Sequence, residues 1–485
     1  MRRRNFLCRT AILMLLVLFT AVCALPVGSV SAAADVPKYV FYFIGDGLGA
    51  SQRQVAEFYM QEKKDDPTFK LTMNTFDVAG INTTHSADTL VTDSAAAGTA
   101  LAAGYKTNNG MIAMLPDKTK VKTLIEAAEE KGMGTGLIST TRLTHATPAV
   151  FAAHNESRGN ENEIAVEMAA SGVDFIAGGG YRHFVPQNWT AGKSKREDGR
   201  DLLWEMKTNG YNMFVSENDT QRFLDYTPKG EEKLIGLFTN SHMPYEVDRV
   251  NEGSKVPSLA QLTQKGIEVL SKYDDGFFVM IESGRIDHAC HANDPAGTIH
   301  DTLAFDESIK AAYDFYLQHP DETLIVVVGD HETGGMGLGF GKNYFLKLEE
   351  LFDVKASFAD VLNYGSGKYK KGNDRNAYFT YIAENFGLDN LTEDEKNRIV
   401  KAMDIVDQEI DPGSTYGGYN PVAMAATHVI SERANLYWTT YAHSATSIPM
   451  SAIGVGAGNF GGYKDNTEIA KAMAALMGFE LGPIQ

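Results

Sequence analysis

An α/β fold, with a large, mostly parallel central sheet and helices on both of its faces, is predicted by three observations. Short apolar runs alternate with amphipathic stretches; the runs are apolar throughout; and acidic residues stand directly after several of them. Strand and helix in alternation imply a parallel sheet, and strands buried on both faces have no polar side to show. Ligands of such sheets bind beyond the carboxyl ends of the strands, so the residues that follow the runs are the ones to inspect.

The strands are read at Val40–Ile44, Val78–Thr83, Gly134–Ser139, Phe175–Gly178, Phe277–Ile281, Leu324–Val328 and Ile453–Val455. Apolar residues at helical spacing mark Val121–Glu130, Ala165–Ala170, Leu259–Leu270, Thr298–Leu317 and Ile469–Met477. From Gly341 to about Asn435 the rhythm breaks into a polar stretch rich in Lys, Asp, Asn, Tyr and Gly, read as an insertion on one catalytic domain spanning 35–485. No internal repeat is visible.

Residues 1–34 read as an export signal peptide. Arg2, Arg3 and Arg4 precede an apolar run from Ala11 to Leu25, and small residues at Ala32–Ala34 offer a cleavage site. The expected location is therefore periplasmic or extracellular. The start "RRRNFL" also resembles a twin-arginine signal, while "TAVC" around Cys23 is a poor match to a lipid-anchor site. Without this segment Cys290 is the only cysteine, so no disulfide framework holds the protein together. No later segment is apolar for long enough to span a bilayer.

The net charge is −18 at pH 7, and the signal carries arginines but no acid, so the mature chain is more acidic still. That balance excludes nucleic acid or an anionic membrane as a partner.

"YVFYFIGDGLGA", from Tyr39 to Ala50, can be read two ways. Gly45, Gly47 and Ala50 have the G-x-G-x-x-A spacing of a dinucleotide loop, but Asp46 inside the turn would repel a pyrophosphate. The acidic residue such a loop wants would be Asp65 or Asp66, which lie in polar "EKKDDPT" and not after a strand. The other reading has Asp46 presenting a carboxylate to a metal. Glu282 after "FFVMI" and Asp330-His331 after "TLIVVVG" bring further ligand types to the same edge. One such Asp is ordinarily a turn former or a cap; several clustered carboxylates repel unless a cation neutralises them.

In "IESGRIDHACHAND" Asp287 and His291 are four apart, which on a helix turns both toward one metal while His288 points elsewhere. His443 in "WTTYAHSATS" is a further candidate ligand. Mixed Asp and His ligands suit zinc, and carboxylate and hydroxyl oxygens suit magnesium. Ser94 opens an Ala-rich helix, either as its N-cap or as a nucleophile assisted by the helix dipole. Arg158 is either a solvated charge or a planar fork for two phosphate oxygens.

"FIGDGLG", "TDSAAAGTALAAGYKT", "THATPAVFAAHNESR", "IESGRIDHACH", "VVVGDHETGG" and "AHSA" follow one another in the order, and at roughly the separations, found in alkaline phosphatases. The chain resembles that family from about Tyr39 to Gly458, most weakly across the insertion. The resemblance implies an α/β/α sandwich that hydrolyses phosphate monoesters through a phosphoserine on Ser94 and releases inorganic phosphate. It implies one zinc on Asp287, His291 and His443, and a second on Asp46, Asp330 and His331. It also implies a magnesium on Asp46, Thr147 and Glu282. Arg158 would bind the phosphate and Asp93 would orient Arg158. Four carboxylates against three divalent ions and one Arg leave the site positive, matched to a dianionic ester. A homodimer is implied as well.

Some bacterial members carry Asp and Lys where this chain has His145 and His288, while other members, including animal ones, carry His at both. His145 is expected beside the third metal, as an outer partner or as a ligand. His288, near the phosphate, would be neutral at alkaline pH and hold product weakly. A diesterase or sulfatase could reuse the two zinc sites, and a non-catalytic phosphate or metal binder would need no nucleophile. Serine-hydrolase and NTPase readings lack support, since neither G-x-S-x-G nor a P-loop is present.

Overall fold

The computed structural model of the chain describes residues 36–484, so the segment read as an export signal lies outside the described residues. The strands in chain order are β1 (Tyr39–Gly45), β2 (Val78–Asn82), β3 (Gly134–Arg142), β4 (Phe175–Gly179), β5 (Tyr211–Val215), β6 (Lys233–Leu237) and β7 (Phe277–Ser283). They continue with β8 (Thr323–Gly329), β9 (Glu332–Thr333), β10 (Gly337–Leu338), β11 (Leu436–Tyr437), β12 (His443–Ser444), β13 (Ile448–Gly454) and β14 (Gly462–Lys464). A 10-stranded sheet has the order β14-β2-β13-β8-β1-β7-β3-β4-β6-β5. Its pairs are parallel except where β13 runs against β2 and β8.

The runs are apolar throughout because both faces are covered. Along β1, Phe41 and Phe43 enter one apolar cluster while Val40, Tyr42 and Ile44 enter the other. The first face is packed by the Ala50–Lys64, Leu259–Leu270 and Pro295–Tyr316 helices through side chains such as Val55, Leu262 and Phe305. The second is packed by Ser94–Ala103, Ala146–Ala152, Glu161–Ala170 and Asn466–Met477 through Leu101, Val150, Ile164 and Met473.

Several details differ from the sequence reading. Strands β5, β6 and β14 had no counterpart in it: β14 is three residues long and mostly exposed, and β5 is a sheet edge whose burial is intermittent. The strand read at Ile453–Val455 is the end of antiparallel β13. The helix expected from Val121 begins at Leu124, because Thr123 and Glu126 close a capping box there. The polar stretch 341–435 is largely helical, with helices Arg375–Phe386, Glu393–Asp407 and Pro421–Arg433. Its Phe358, Ile382, Met403 and Ile430 join the first apolar cluster. Among the described residues no helix is long and apolar enough to cross a membrane.

Candidate active site

Register brings the strand-end carboxylates to one level. Gly45 of β1 is paired with Ser283 of β7 and with Gly329 of β8, so Asp46, Glu282 and Asp330 emerge side by side at the carboxyl edge of adjacent central strands. The turn after β1 needs glycine at 47, where φ is +73°. A Cβ there would lie 2.8 Å from the Asp287 Cα. The glycines thus let the backbone close on a cluster of acids. Asp65 is the left-handed C-cap of the Ala50–Lys64 helix and not the end of a second strand, which leaves the dinucleotide reading without its acidic partner.

Three groups of donor atoms converge there: Asp287, His291 and His443; Asp46, Asp330 and His331; and Asp46, His145 and Glu282. Asp287 and His291 lie on the Arg285–His291 helix, with His291 Nε2 3.4 Å from Asp287 Oδ1. His443 is delivered by the β9–β12 ladder and sets its Nε2 3.5 Å from the same oxygen. The Nδ1 atoms of His291 and His443 lie 2.6 and 2.7 Å from the Tyr441 and Thr92 carbonyls. A carbonyl only accepts, so each ring carries its proton on Nδ1 and turns an Nε2 lone pair inward.

Asp330 Oδ1 accepts from the Gly47 and His331 amides, leaving Oδ2 unpartnered. Both carboxylate oxygens of Asp46, one of Glu282, the Thr147 hydroxyl and His145 Nδ1 are likewise buried without a hydrogen-bond partner. Each such atom costs about 1–3 kcal/mol if left bare, and more when charged. Burial, then the neighbouring carboxylates, pushes the acidities of Asp46 and Asp330 well above the ordinary range, and burial pushes Glu282 up to about 7. Burial alone would also raise Asp287, but His291, His443 and His331 around it hold it below its ordinary value. Inward-facing carboxylate oxygens without partners, beside imidazole lone pairs turned toward one another, are the donor set that divalent cations satisfy, so the residues fit the implied metals.

Ser94 is the first residue of the Ser94–Ala103 helix but not its cap. Asp93 is the N-cap, its Oδ1 accepting from the Ala96 amide at 2.9 Å. The Ser94 hydroxyl is therefore free of capping and sits 3.2 Å from His331 Nε2. Asp93 Oδ2 accepts from the Gly110 amide and from Arg158 Nη1, each at 3.0 Å. Arg158 Nη2 reaches His145 Nε2 at 3.2 Å. His145 and Thr147 flank the start of the Ala146–Ala152 helix, so His145 joins a donor group as well as contacting Arg158.

His288 faces away from Asp287's metal group, accepting at Nδ1 from Arg285 at 3.1 Å. Burial, then the Arg285 charge, lowers it to about 3, so it is neutral. Its ring stacks edge-on with His242, 4.4 Å between centroids, and His242 contacts Arg142. His242, Arg285, Ser139, Thr141 and Thr333 line the site and were not read from sequence. Ser139 and Thr141 hydrogen-bond the Glu282 carboxylate from the end of β3, and the polar "STT" closing an apolar run was the available signal.

A family model described as Alkaline phosphatase matches residues 37–479. Alkaline phosphatase 3 of Bacillus subtilis is 33% identical over 446 residues, which covers 90% of this chain and 88% of that protein. Among solved structures, the Thermus thermophilus alkaline phosphatase is 28% identical with a TM-score of 0.78, covering 94% of this chain and 96% of the other. A cold-active alkaline phosphatase from a psychrophilic Shewanella is 28% identical with a TM-score of 0.76, covering 90% and 99%.

Proposed function

The chain belongs to the alkaline phosphatase family and is a phosphomonoesterase, and we propose that it works through a phosphoserine on Ser94 at a centre of two zinc ions and one magnesium ion. The observation that carries this reading is the uncapped Ser94 hydroxyl, 3.2 Å from His331 Nε2, at the head of a helix beside three cation-ready donor groups. Asp287, His291 and His443 would hold one zinc, and Asp46, Asp330 and His331 the other. Asp46, Glu282 and Thr147 would hold the magnesium, with His145 beside it or among its ligands.

Bound divalent ions lower the pKa of a hydroxyl or water they contact and neutralise charge on a transferring phosphoryl group. Ser94 Oγ, its proton released to water, attacks phosphorus, forming the Ser94 O–P bond as the ester O–P bond breaks, and the leaving oxygen takes a proton from water and departs as the alcohol. Water then attacks the phosphoserine from the opposite side, returning the electron pair to Ser94 Oγ and releasing inorganic phosphate. Arg158 grips two equatorial oxygens with its fork, and Asp93 keeps that fork in plane. Neutral His288 adds no charge to hold the product. Two further expectations belong to this reading: export, from residues 1–34, and a homodimer, from the family resemblance.

Turnover of p-nitrophenyl phosphate against bis-p-nitrophenyl phosphate tests the assignment, together with acid quenching to trap phosphate on the Ser94 peptide. Fast cleavage of the monoester alone, with label on Ser94, is expected. Equal rates on both esters, or an unlabelled Ser94 peptide, would overturn it.

Arg158→Ala should lower kcat/KM by about a hundredfold and weaken inhibition by inorganic phosphate, since removing one preorganised donor to developing charge costs about 10²–10³. Activity persists because the cation ligands are untouched. Complete inactivity with full metal content would contradict this division of labour.

A further inference from the structure

Thr333 stands between the two zinc groups and touches both. Its hydroxyl lies 2.5 Å from Asp287 Oδ1 and 3.2 Å from His331 Nδ1, and the side chain is fully buried. A carboxylate can only accept, so the hydroxyl proton goes to Asp287. The hydroxyl oxygen is then the acceptor for His331, whose ring proton must sit on Nδ1. That leaves the His331 Nε2 lone pair facing Asp330 Oδ2 at 3.2 Å, Asp46 Oδ1 at 3.4 Å and the Ser94 hydroxyl.

The backbone of Thr333 is fixed just as closely. In the β9–β12 ladder Thr333 is the partner of His443, and its carbonyl accepts from Gln52 Nε2 at 2.8 Å. Gly47, in the turn that carries Asp46, approaches so near that a Cβ there would come within 3.0 Å of the Thr333 hydroxyl oxygen. One residue therefore meets Asp287 and His443 of the first group and His331 of the second. β-Branching restricts its χ1, so the hydroxyl has little freedom to turn from either partner.

We propose that Thr333 is a positioning residue whose single hydroxyl couples the two zinc groups, fixing the His331 tautomer and restraining the Asp287 carboxylate at once; the inference rests on the two-zinc reading above. Partners of this kind behind metal ligands are worth about 10–100-fold in metal affinity. Removing the hydroxyl should weaken both sites together, whereas a residue that merely filled space would weaken neither.

The test is zinc titration of the chelated full chain against a chromophoric competitor, for wild type, Thr333→Val and Thr333→Ser, alongside kcat and KM for p-nitrophenyl phosphate. Thr333→Val should lower affinity at both sites by about 10–100-fold and lower kcat more than it raises KM, and Thr333→Ser should restore both. Thr333→Ala, which also lacks the hydroxyl, replaces Thr333→Val should that variant not fold. Zinc binding by a hydroxyl-free variant that matches wild type at either site would overturn the proposal, as would a Thr333→Ser variant no better than Thr333→Val. Failure of the wild type itself to take up zinc would instead overturn the two-zinc reading.

Discussion

Stripping divalent cations from the protein should abolish phosphatase activity and lower its melting temperature by about 12 °C. Each ion present at a thousandfold over its Kd contributes about 4 kcal/mol, so the three ions proposed above would contribute about 12 kcal/mol. A fold of this size has an unfolding entropy of about 1 kcal/mol per degree, which converts that loss to about 12 °C. Without cations both carboxylate oxygens of Asp46, Oδ2 of Asp330 and Oε1 of Glu282 are buried with no hydrogen-bond partner. Only protons can then relieve them, which gives the effect a pH signature. Glu282, pushed up from an ordinary 4.5 to about 7 chiefly by burial, takes a proton in the folded chelated protein that the unfolded chain releases. Its stabilising contribution is complete below about 4.5 and is lost as pH rises through about 7. The chelated protein should therefore melt lower as pH rises across this window. The metal-loaded protein, whose cations exclude those protons, should not follow it, so the gap between the two widens toward alkaline pH. Calorimetry with and without chelator from pH 5 to 8 measures this. An unchanged melting temperature in protein shown to be metal-free would sink the idea.

The sequence carries the centre of the fold openly and its periphery poorly, for one physical reason. β1, β7 and β8 are buried on both faces, so they appear as unbroken apolar runs, and Asp46, Glu282 and Asp330 stand out at their ends. β14 and β5, at the two sheet edges, have partners on one side only; β14 is three mostly exposed residues, and the burial of β5 is broken at Asn212 and Met213. The same contrast holds in the site. Asp287 and His291 show themselves by their spacing on one helix, whereas Thr333 meets Asp287 from 46 residues away and Arg142 meets His242 from 100. Such contacts depend on how strands are ordered in the sheet, which no local spacing encodes. The Ser94 ambiguity was local, and one side chain removes one of its two readings: Asp93, not Ser94, is the N-cap of the helix.

Ser94→Ala should lower kcat by about a thousandfold or more, in keeping with the loss of a nucleophile elsewhere, and leave the metal content of the protein unchanged. The fold tolerates the change because alanine is the best helix former, the neighbours at 95, 96 and 97 are already alanine, and the Asp93 cap does not involve the serine side chain. The hydroxyl makes one hydrogen bond, to His331, worth about 1 kcal/mol, which for a domain of this size moves the melting temperature by about a degree. The variant should also retain product binding, since Arg158 and its Asp93 brace remain. Its residual turnover would come from direct attack of water on the bound ester, so it should form no covalent phosphoprotein on acid quenching. Metal analysis, phosphate binding by calorimetry and quench labelling on the same preparation separate these effects. If the variant kept activity within tenfold of wild type, or carried acid-stable phosphate at another residue, Ser94 would not be the nucleophile.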